Sequence, residues 1–213
     1  MLYKLIYYLS ILSPLPAIII AGRRRSVLWY YVLMSFLADI TSYILREYQL
    51  PHAVVSNTFM LAEFVLLTAY FKHALLGDKY RNQYIAIVGL LSLWFIINSF
   101  SRINGSASDA DGMNYFFTSF FYILYLLLSL FSFYKIMKSE RLVNLAHSSL
   151  FIISVAILLY ASGSYMLFLF KPYLERINLE MMRRFWFYLF LPLNILKNIL
   201  IAIALYNDRR FEQ

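Results

Sequence analysis

Three ionisable residues lie deep within long apolar stretches of this sequence. Lys197 is the only charged residue of 185–206, and Asp39 and Glu63 each lie near the middle of another apolar stretch. A charge at the centre of a bilayer costs roughly 2.5–3.5 kcal/mol on insertion scales, and such residues usually face a protein interior and serve a ligand, ion or proton site. At 1.5 Å rise per residue, the three lie within about 7 Å of one another in depth. Their types and depths predict one buried, ion-paired centre.

Three asparagines extend the predicted centre. Asn194 and Asn198 lie three residues before and one residue after Lys197, on the same side of a helix. Asn57 lies about a turn and a half from Glu63. The ligand- or ion-binding residues predicted from the sequence are Asp39, Asn57, Glu63, Asn194, Lys197 and Asn198.

A purely structural interpretation of the same residues stays open. Glu63 and Lys197 could form an ion pair that fixes the register of two helices and binds nothing. Arg46 lies two turns from Asp39 on the same face and could pair with that carboxylate instead.

The sequence contains no recognisable catalytic or metal-binding motif. His52, His73 and His147 have no histidine partner at helical spacing, whereas a zinc site needs several such ligands together. Residues 109–112, Asp-Ala-Asp-Gly, resemble part of a calcium loop but lack the other ligands and the closing Glu. Cysteine, a Ser/His/Asp arrangement and a Gly-rich phosphate loop are all missing. We therefore predict no catalytic residue, no metal and no cofactor, in a protein that is not an enzyme.

The composition indicates that membrane-spanning helices carry these residues. Apolar residues make up 62% of the chain and charged residues 14%, whereas soluble domains contain about 45–50% and about 25%. With about 20 residues needed for each crossing, seven membrane helices and short loops fill the chain and leave no room for a soluble catalytic domain. We predict an all-α fold, a polytopic bundle of seven transmembrane helices in a single transmembrane domain, 1–213. The predicted helices are 2–21, 26–46, 53–71, 82–101, 113–134, 148–170 and 185–206.

Prolines and small residues predict where these helices are irregular. Residues 13–16, Ser-Pro-Leu-Pro, remove two backbone donors from the first helix, which should be kinked or locally unwound. Pro192 has no N–H for the carbonyl of Tyr188, so a bend is expected in the seventh helix. Residues 161–164, Ala-Ser-Gly-Ser, favour close helix packing. The alternating charges of 171–184 indicate a short interfacial helix between the sixth and seventh spans.

The positive charges predict how the bundle is oriented. The loops after helices 1, 3 and 5, together with the C-terminal tail, carry 11 of the 19 Lys and Arg residues, against 7 on the other side. Because cytoplasmic loops are enriched in Lys and Arg, the N-terminus is expected outside and the C-terminus in the cytoplasm, in the inner (cytoplasmic) membrane. The net charge of +8 therefore reflects topology and bilayer contact, and no nucleic acid partner is predicted. Many of the 19 tyrosines lie near helix ends, which is typical of an interfacial belt.

Seven helices with a lysine in the last one resemble a microbial rhodopsin. That resemblance implies retinal bound to Lys197, with Glu63 as the counter-ion. It fails at two places: the Asp usually found four residues before the lysine is Leu193 here, and the sixth helix contains neither Trp nor Pro. Retinal on Lys197 is kept as a secondary alternative.

A second resemblance covers most of the chain. The segments 57–67 (NTFMLAEFVLL), 157–170 (ILLYASGSYMLFLF) and 194–205 (NILKNILIAIAL) resemble an uncharacterised Bacteroidota family of seven-helix integral membrane proteins. Its genes often lie beside those of sensor histidine kinases. The resemblance implies a membrane sensor or accessory subunit whose signalling domain belongs to another protein, such as a histidine kinase.

These observations give one leading function and several alternatives. The leading prediction is a receptor-like or sensory membrane protein, not an enzyme, that relays a signal to a separate cytoplasmic partner. The first alternative is a small secondary transporter or proton-coupled carrier that uses Asp39, Glu63 and Lys197. The remaining alternatives are the retinal-binding protein and an intramembrane lipid enzyme with Asp39 or Glu63 as its acid/base.

Overall fold

The structure of this chain, a computed structural model, describes residues 2–21, 26–48, 50, 53–77, 80–105, 114–138, 145 and 148–211. These ranges form helices joined by short turns, and they contain no strand. Within these ranges, seven helical segments are long and apolar enough to cross a membrane. The predicted all-α fold is confirmed, with seven helices suited to a multi-pass membrane protein.

The helices occupy the predicted parts of the chain, and several continue past their predicted ends. The predicted ends fall short because charged residues terminate the apolar stretches, whereas helical hydrogen bonding continues through them. The first span contains α1 (Leu2–Leu12) and α2 (Leu15–Ala21), and the seventh contains α8 (Leu179–Phe185), a π-helical turn (Trp186–Phe190) and α9 (Leu191–Phe211). The other spans are α3 (Val27–Glu47), α4 (Ala53–Leu76), α5 (Arg81–Gly105), α6 (Tyr115–Lys138) and α7 (Ser149–Ile177).

The first span is interrupted at Ser13 and Pro14, as predicted. The Ser13 N–H still donates to the Leu9 carbonyl at 2.9 Å, and the Ser13 hydroxyl donates to the Ser10 carbonyl at 2.8 Å. The helix resumes at Leu15 because proline fits the first turn of a helix, where its missing N–H is not needed. Two short helices therefore cross the bundle where one long helix would be usual.

The connection between the sixth and seventh spans differs from the prediction. No separate interfacial helix forms over 171–184, because α7 continues to Ile177 and α8 begins two residues later. Asn178 forms this turn: its N–H donates to the Leu174 carbonyl at 2.8 Å and its side chain accepts the Met181 N–H at 3.0 Å. One asparagine thus caps both helices and replaces a loop.

The irregularity expected at Pro192 takes the form of a π-helical turn directly before it. Within this turn, the Leu191 N–H donates to the Trp186 carbonyl, five residues earlier. The wider turn lets the helix pass the proline without a break, so α8, the π-helical turn and α9 are continuous.

Six of the seven spans pack into a closed ring. Following the ring, α2 packs on α3, α3 on α4, α4 on α6, α6 on α7, α7 on α9 and α9 on α2. The remaining span, α5, lies outside the ring against α4 and reaches α6 through Phe95, which contacts Phe117 and Phe121. The exposed side of α5 is apolar, with Ile85 and Leu90 among its exposed residues, and is suited to lipid contact.

The helices α4 and α6 are neighbours in the ring and run in the same direction, because α5 carries the chain back between them outside the ring. Phe64 of α4 stacks on Phe121 of α6 at 4.2 Å between ring centroids, and Asn57 meets Asn114 near the starts of the same two helices. The end of the bundle where α4, α6 and α8 begin is called the cleft face below, and the other end is called the opposite face.

Gly163 is where α7 and α9 approach closely. A Cβ atom at this position would collide with the side chain of Leu193, whereas a Cβ at Gly89 of α5 would meet nothing within 4 Å. The predicted close packing at 161–164 is confirmed at this glycine.

Candidate functional site

Glu63 and Lys197 lie together in the middle of the ring. Glu63 projects from α4 and Lys197 from α9, and each side chain is only 1% exposed. The hydroxyl of Tyr31, on α3, donates a hydrogen bond of 3.0 Å to Glu63 Oε1. Three ring spans therefore supply the two charges and the tyrosine that binds one of them.

The Lys197 ammonium is held by aromatic rings. Its Nζ lies 4.2 Å from the centroid of the Tyr160 ring and 5.2 Å from that of Tyr31. A cation over a tyrosine face is attracted by the ring quadrupole, more strongly where water is excluded. Within the described part of the chain, Nζ has no hydrogen-bond partner.

The predicted direct ion pair is therefore replaced by a looser arrangement. Among the described residues, no carboxylate oxygen lies within 4.0 Å of Lys197 Nζ. Glu63 and Lys197 still interact electrostatically with each other and with Asp39, so the three charges predicted to share one level do influence one another. The Tyr31 side chain bridges the pair, since its hydroxyl binds Glu63 and its ring contacts Lys197.

Four buried tyrosines complete this centre. Tyr31, Tyr122, Tyr125 and Tyr160 are each at most 3% exposed, and all four interact electrostatically with Glu63. The hydroxyls of Tyr122 and Tyr160 lie 3.1 Å apart, in hydrogen-bond contact. Sequence reasoning missed these residues because it assigned tyrosines to the membrane interface. The available signal was that Tyr122, Tyr125 and Tyr160 lie well inside apolar spans, far from either end.

Asn194 and Asn198 lie beside Lys197 as predicted, and both side chains donate hydrogen bonds to serines of the first span. Asn194 Nδ2 donates to Ser10 Oγ at 3.1 Å, and Asn198 Nδ2 donates to Ser13 Oγ at 2.8 Å. Both pairs join α9 to the interrupted segment of the first span. The two asparagines therefore fix the broken helix next to the charged centre.

Asn57 lies outside this centre. Its side-chain oxygen accepts the backbone N–H of Asn114 at 3.2 Å, and the Asn114 side chain in turn faces Ser99 at 3.4 Å. Asn57 is buried where α6 begins, so it joins α4 to the start of α6. This contact is structural, and the predicted ligand-binding role of Asn57 stays a prediction.

A cleft of about 120 Å³ connects the centre with the cleft face. Asp39 lines this cleft on α3, and Arg46, its alternative partner, has a side chain outside the described residues. The innermost lining residues are Tyr122, Tyr160 and Asn194, which also border the Lys197 centre. Tyr160 is thus shared between the cleft and the ammonium.

The cleft has two chemically different walls. The first wall, on α1, α3 and α4, carries one carboxylate and several hydroxyls, from Ser10, Asp39, Ser42 and Ser56. The second wall, on α7 and the π-helical turn, carries one ammonium and a set of aromatic rings, from Phe168, Lys171, Trp186 and Phe190. The rings of Trp186 and Phe190 stack on this wall with their centroids 4.2 Å apart.

On the side of the opposite face, apolar side chains close off the centre. Leu67, Phe71, Ile153, Ile157 and Ile201 are all completely buried and belong to one hydrophobic cluster. Water and polar solutes are excluded from such packing. The centre is therefore approached from the cleft face and sealed from the opposite face.

Metal and cofactor chemistry gains no specific support from this arrangement. The described residues contain no group of three or more His, Cys, Asp or Glu side chains that could hold a metal ion. His52, His147 and residues 109–112 lie outside the described residues. Retinal on Lys197 stays a prediction; Lys197 does not line the cleft described above.

Comparison with known proteins gives no relative for this chain. No family model matches it, and neither does any curated protein or solved structure. The resemblance to a Bacteroidota family therefore stays a prediction.

Proposed function

We propose that this chain is a receptor-like or sensory membrane protein, not an enzyme, that binds a small ligand in the cleft and relays a signal to a separate cytoplasmic partner. The cleft face is proposed to lie outside the cytoplasmic (inner) membrane, with the C-terminus in the cytoplasm, as the distribution of Lys and Arg indicates.

The observation that supports this proposal most directly is the shared position of Tyr160. Tyr160 lines the cleft, its hydroxyl contacts Tyr122, and its ring lies 4.2 Å from the Lys197 ammonium. A ligand that moves the Tyr160 ring changes the stabilisation of a buried cation on α9. Differential contact of this kind is what a ligand needs in order to shift a conformational equilibrium.

The relay would then pass along α9 to the opposite face. This helix runs continuously from Leu191 to Phe211, and Asp208 is exposed near its end. Lys135 and Lys138 lie at the same end of the bundle, in the last turn of α6. These basic side chains can contact acidic headgroups or an acidic partner surface, such as that of a histidine kinase.

Photocrosslinking in native membranes tests this proposal. A photoreactive residue at Asp208 is expected to capture a partner protein, and Tyr160→Leu is expected to change the yield several-fold by removing the ring that holds Lys197. Tyr173→Leu is the matched control, because Tyr173 is exposed on the same helix, α7, and does not line the cleft. Crosslinks to copies of the same chain alone would contradict the proposal.

A carrier is the second candidate, and the interrupted first span favours it. Broken helices beside a buried polar site are typical of secondary transporters, in which two packings alternate around the site. Here the break at Ser13 and Pro14 is bound to Asn198 beside Lys197, and Asp39 and Glu63 are close enough to interact with that lysine. Uptake of a labelled solute into proteoliposomes, abolished by Lys197→Met, would favour the carrier.

A further inference from the structure

We infer that the cleft takes a small zwitterion with one ammonium and one carboxylate group, such as an α-amino acid, with its ammonium against Asp39 and its carboxylate against Lys171. The inference rests on the proposed function, because it names the ligand class of the same cleft. It follows from the opposite charges of the two walls.

The two charged residues belong to different sides of the bundle. Asp39 is on α3, which packs on α2 and α4, and Lys171 is on α7, which packs on α6 and α9. Asp39 lies eight residues before the end of α3 and Lys171 six residues before the end of α7, so both are about 9–12 Å from their helix ends. The two charges therefore lie on different walls of the cleft.

The hydroxyl-bearing wall suits a primary ammonium group. An ammonium has three N–H donors and no acceptor, so a binding site must supply several oxygens. The Asp39 carboxylate and the hydroxyls of Ser42 and Ser56 supply such oxygens on neighbouring helices. Hydrogen bonds to an ionised acceptor are also the stronger kind.

The aromatic wall suits a carboxylate attached to an apolar group. The Lys171 ammonium lies 4.5 Å from the centroid of the Tyr115 ring and 5.5 Å from that of Trp186, within the range of cation–π contacts. Below it, Phe168 and Phe190 present ring surface to the cleft. A carboxylate can bind Lys171 while the neighbouring apolar atoms cover these rings.

A ligand with only one charge fits the cleft less well. A monovalent cation would place a second positive charge near Lys171, and a monovalent anion would place a second negative charge near Asp39. A zwitterion complements both walls and leaves the net charge of the cleft unchanged, which matters where water is scarce.

Calorimetry with the full-length protein in nanodiscs of neutral lipid tests the inference with matched probes. Glycine, L-valine and L-phenylalanine are zwitterions of increasing size, isobutylamine is valine without its carboxylate, and isovalerate is valine without its ammonium. At least one zwitterion is expected to bind, and L-valine should bind about tenfold or more tightly than isobutylamine or isovalerate, the factor for one charge-assisted hydrogen bond.

Variants assign each end of the ligand. Asp39→Asn should abolish the preference for L-valine over isovalerate, and Lys171→Met should abolish the preference for L-valine over isobutylamine. Asp39→Glu and Lys171→Arg keep the charges and should retain both preferences, which guards against variants that simply fail to fold. Lys138→Met, at the opposite face, is the control for lost charge and should change neither preference.

Each outcome separates this inference from the proposed function. Failure of all three zwitterions to bind, equal binding by isobutylamine or isovalerate, or intact preferences in both variants would overturn the zwitterion inference. The receptor function would still stand if Tyr160→Leu changed partner crosslinking. Zwitterion binding without any partner crosslink would support the inference and contradict the receptor.

Discussion

Glu63 and Lys197 are both buried, and each is held by a tyrosine where a direct ion pair would be usual. Lys197→Met leaves the Glu63 charge buried without compensation, which should destabilise the protein by roughly 3–5 kcal/mol. Lys197→Met combined with Glu63→Leu strands no charge and should be much milder. Thermal melts in detergent of the two single variants and the double variant measure this coupling.

The same variants separate a structural centre from a functional one. Recovery of both stability and ligand binding in the double variant would indicate a structural centre, and recovery of stability alone would indicate a functional one. Additive destabilisation would contradict the coupling between Glu63 and Lys197, and would leave Asp39 as the group that compensates the lysine.

The sequence predicted the part of this centre that depends on one helix. Asn194, Lys197 and Asn198 share a face because of their spacing, and all three are buried together. Tyr160 could not be assigned in this way, because tyrosine is also common at membrane interfaces and only the packing of α7 against α9 brings its ring to the ammonium. Asn57 was included because it lies a turn and a half from Glu63 on the same helix, whereas its side-chain oxygen accepts the backbone N–H of Asn114, directly before α6.

Among the helices, the contact between α7 and α9 depends on Gly163. Gly163→Ala should destabilise the protein by about 1–3 kcal/mol, because the new methyl group overlaps the Leu193 side chain. Gly89→Ala is the matched control on α5 and should be neutral or slightly stabilising, because alanine favours helix and nothing lies nearby. Equilibrium unfolding in detergent measures both changes.

A second substitution tests the cause of the Gly163 effect. Shortening Leu193 to alanine in the Gly163→Ala background removes the overlapping atoms and should recover part of the lost stability. Two results would show that the overlap is relieved by side-chain movement. The first is an equal change in stability for Gly163→Ala and Gly89→Ala, and the second is no recovery of stability when Leu193→Ala is added to Gly163→Ala.

The helices themselves were predictable from the sequence, but the breaks and turns that connect them were less predictable. The break at Ser13 and Pro14 follows from local chemistry, since two prolines remove donors whatever surrounds them. The turn at Asn178 could not be recognised from the alternating charges of 171–184, which predicted a short interfacial helix. A single capping asparagine can end one helix and begin the next, and nothing in composition distinguishes this from a longer connection.

For the whole chain, the orientation predicted from Lys and Arg is open to a direct test. Alkaline phosphatase is active only outside the cytoplasm, so fusions report which side each connection occupies. Fusions after Gln49 and Ala110 should be active, and fusions after Arg24, Lys79, Arg141 and Gln213 should be inactive. Activity at Gln213 would reverse the orientation and would contradict both cytoplasmic signalling and an outward-facing cleft.

The position of α5 outside the ring has an electrostatic consequence. Six helices joined one after another would alternate in direction, and their macrodipoles would cancel. Because α5 returns the chain outside the ring, the first span, α4, α6 and the seventh span all begin at the cleft face, and only α3 and α7 end there. With roughly half an elementary charge at each helix end, the ring carries an excess of about one positive charge at that face. The backbone itself thus favours a ligand that presents its negative end toward the mouth of the cleft.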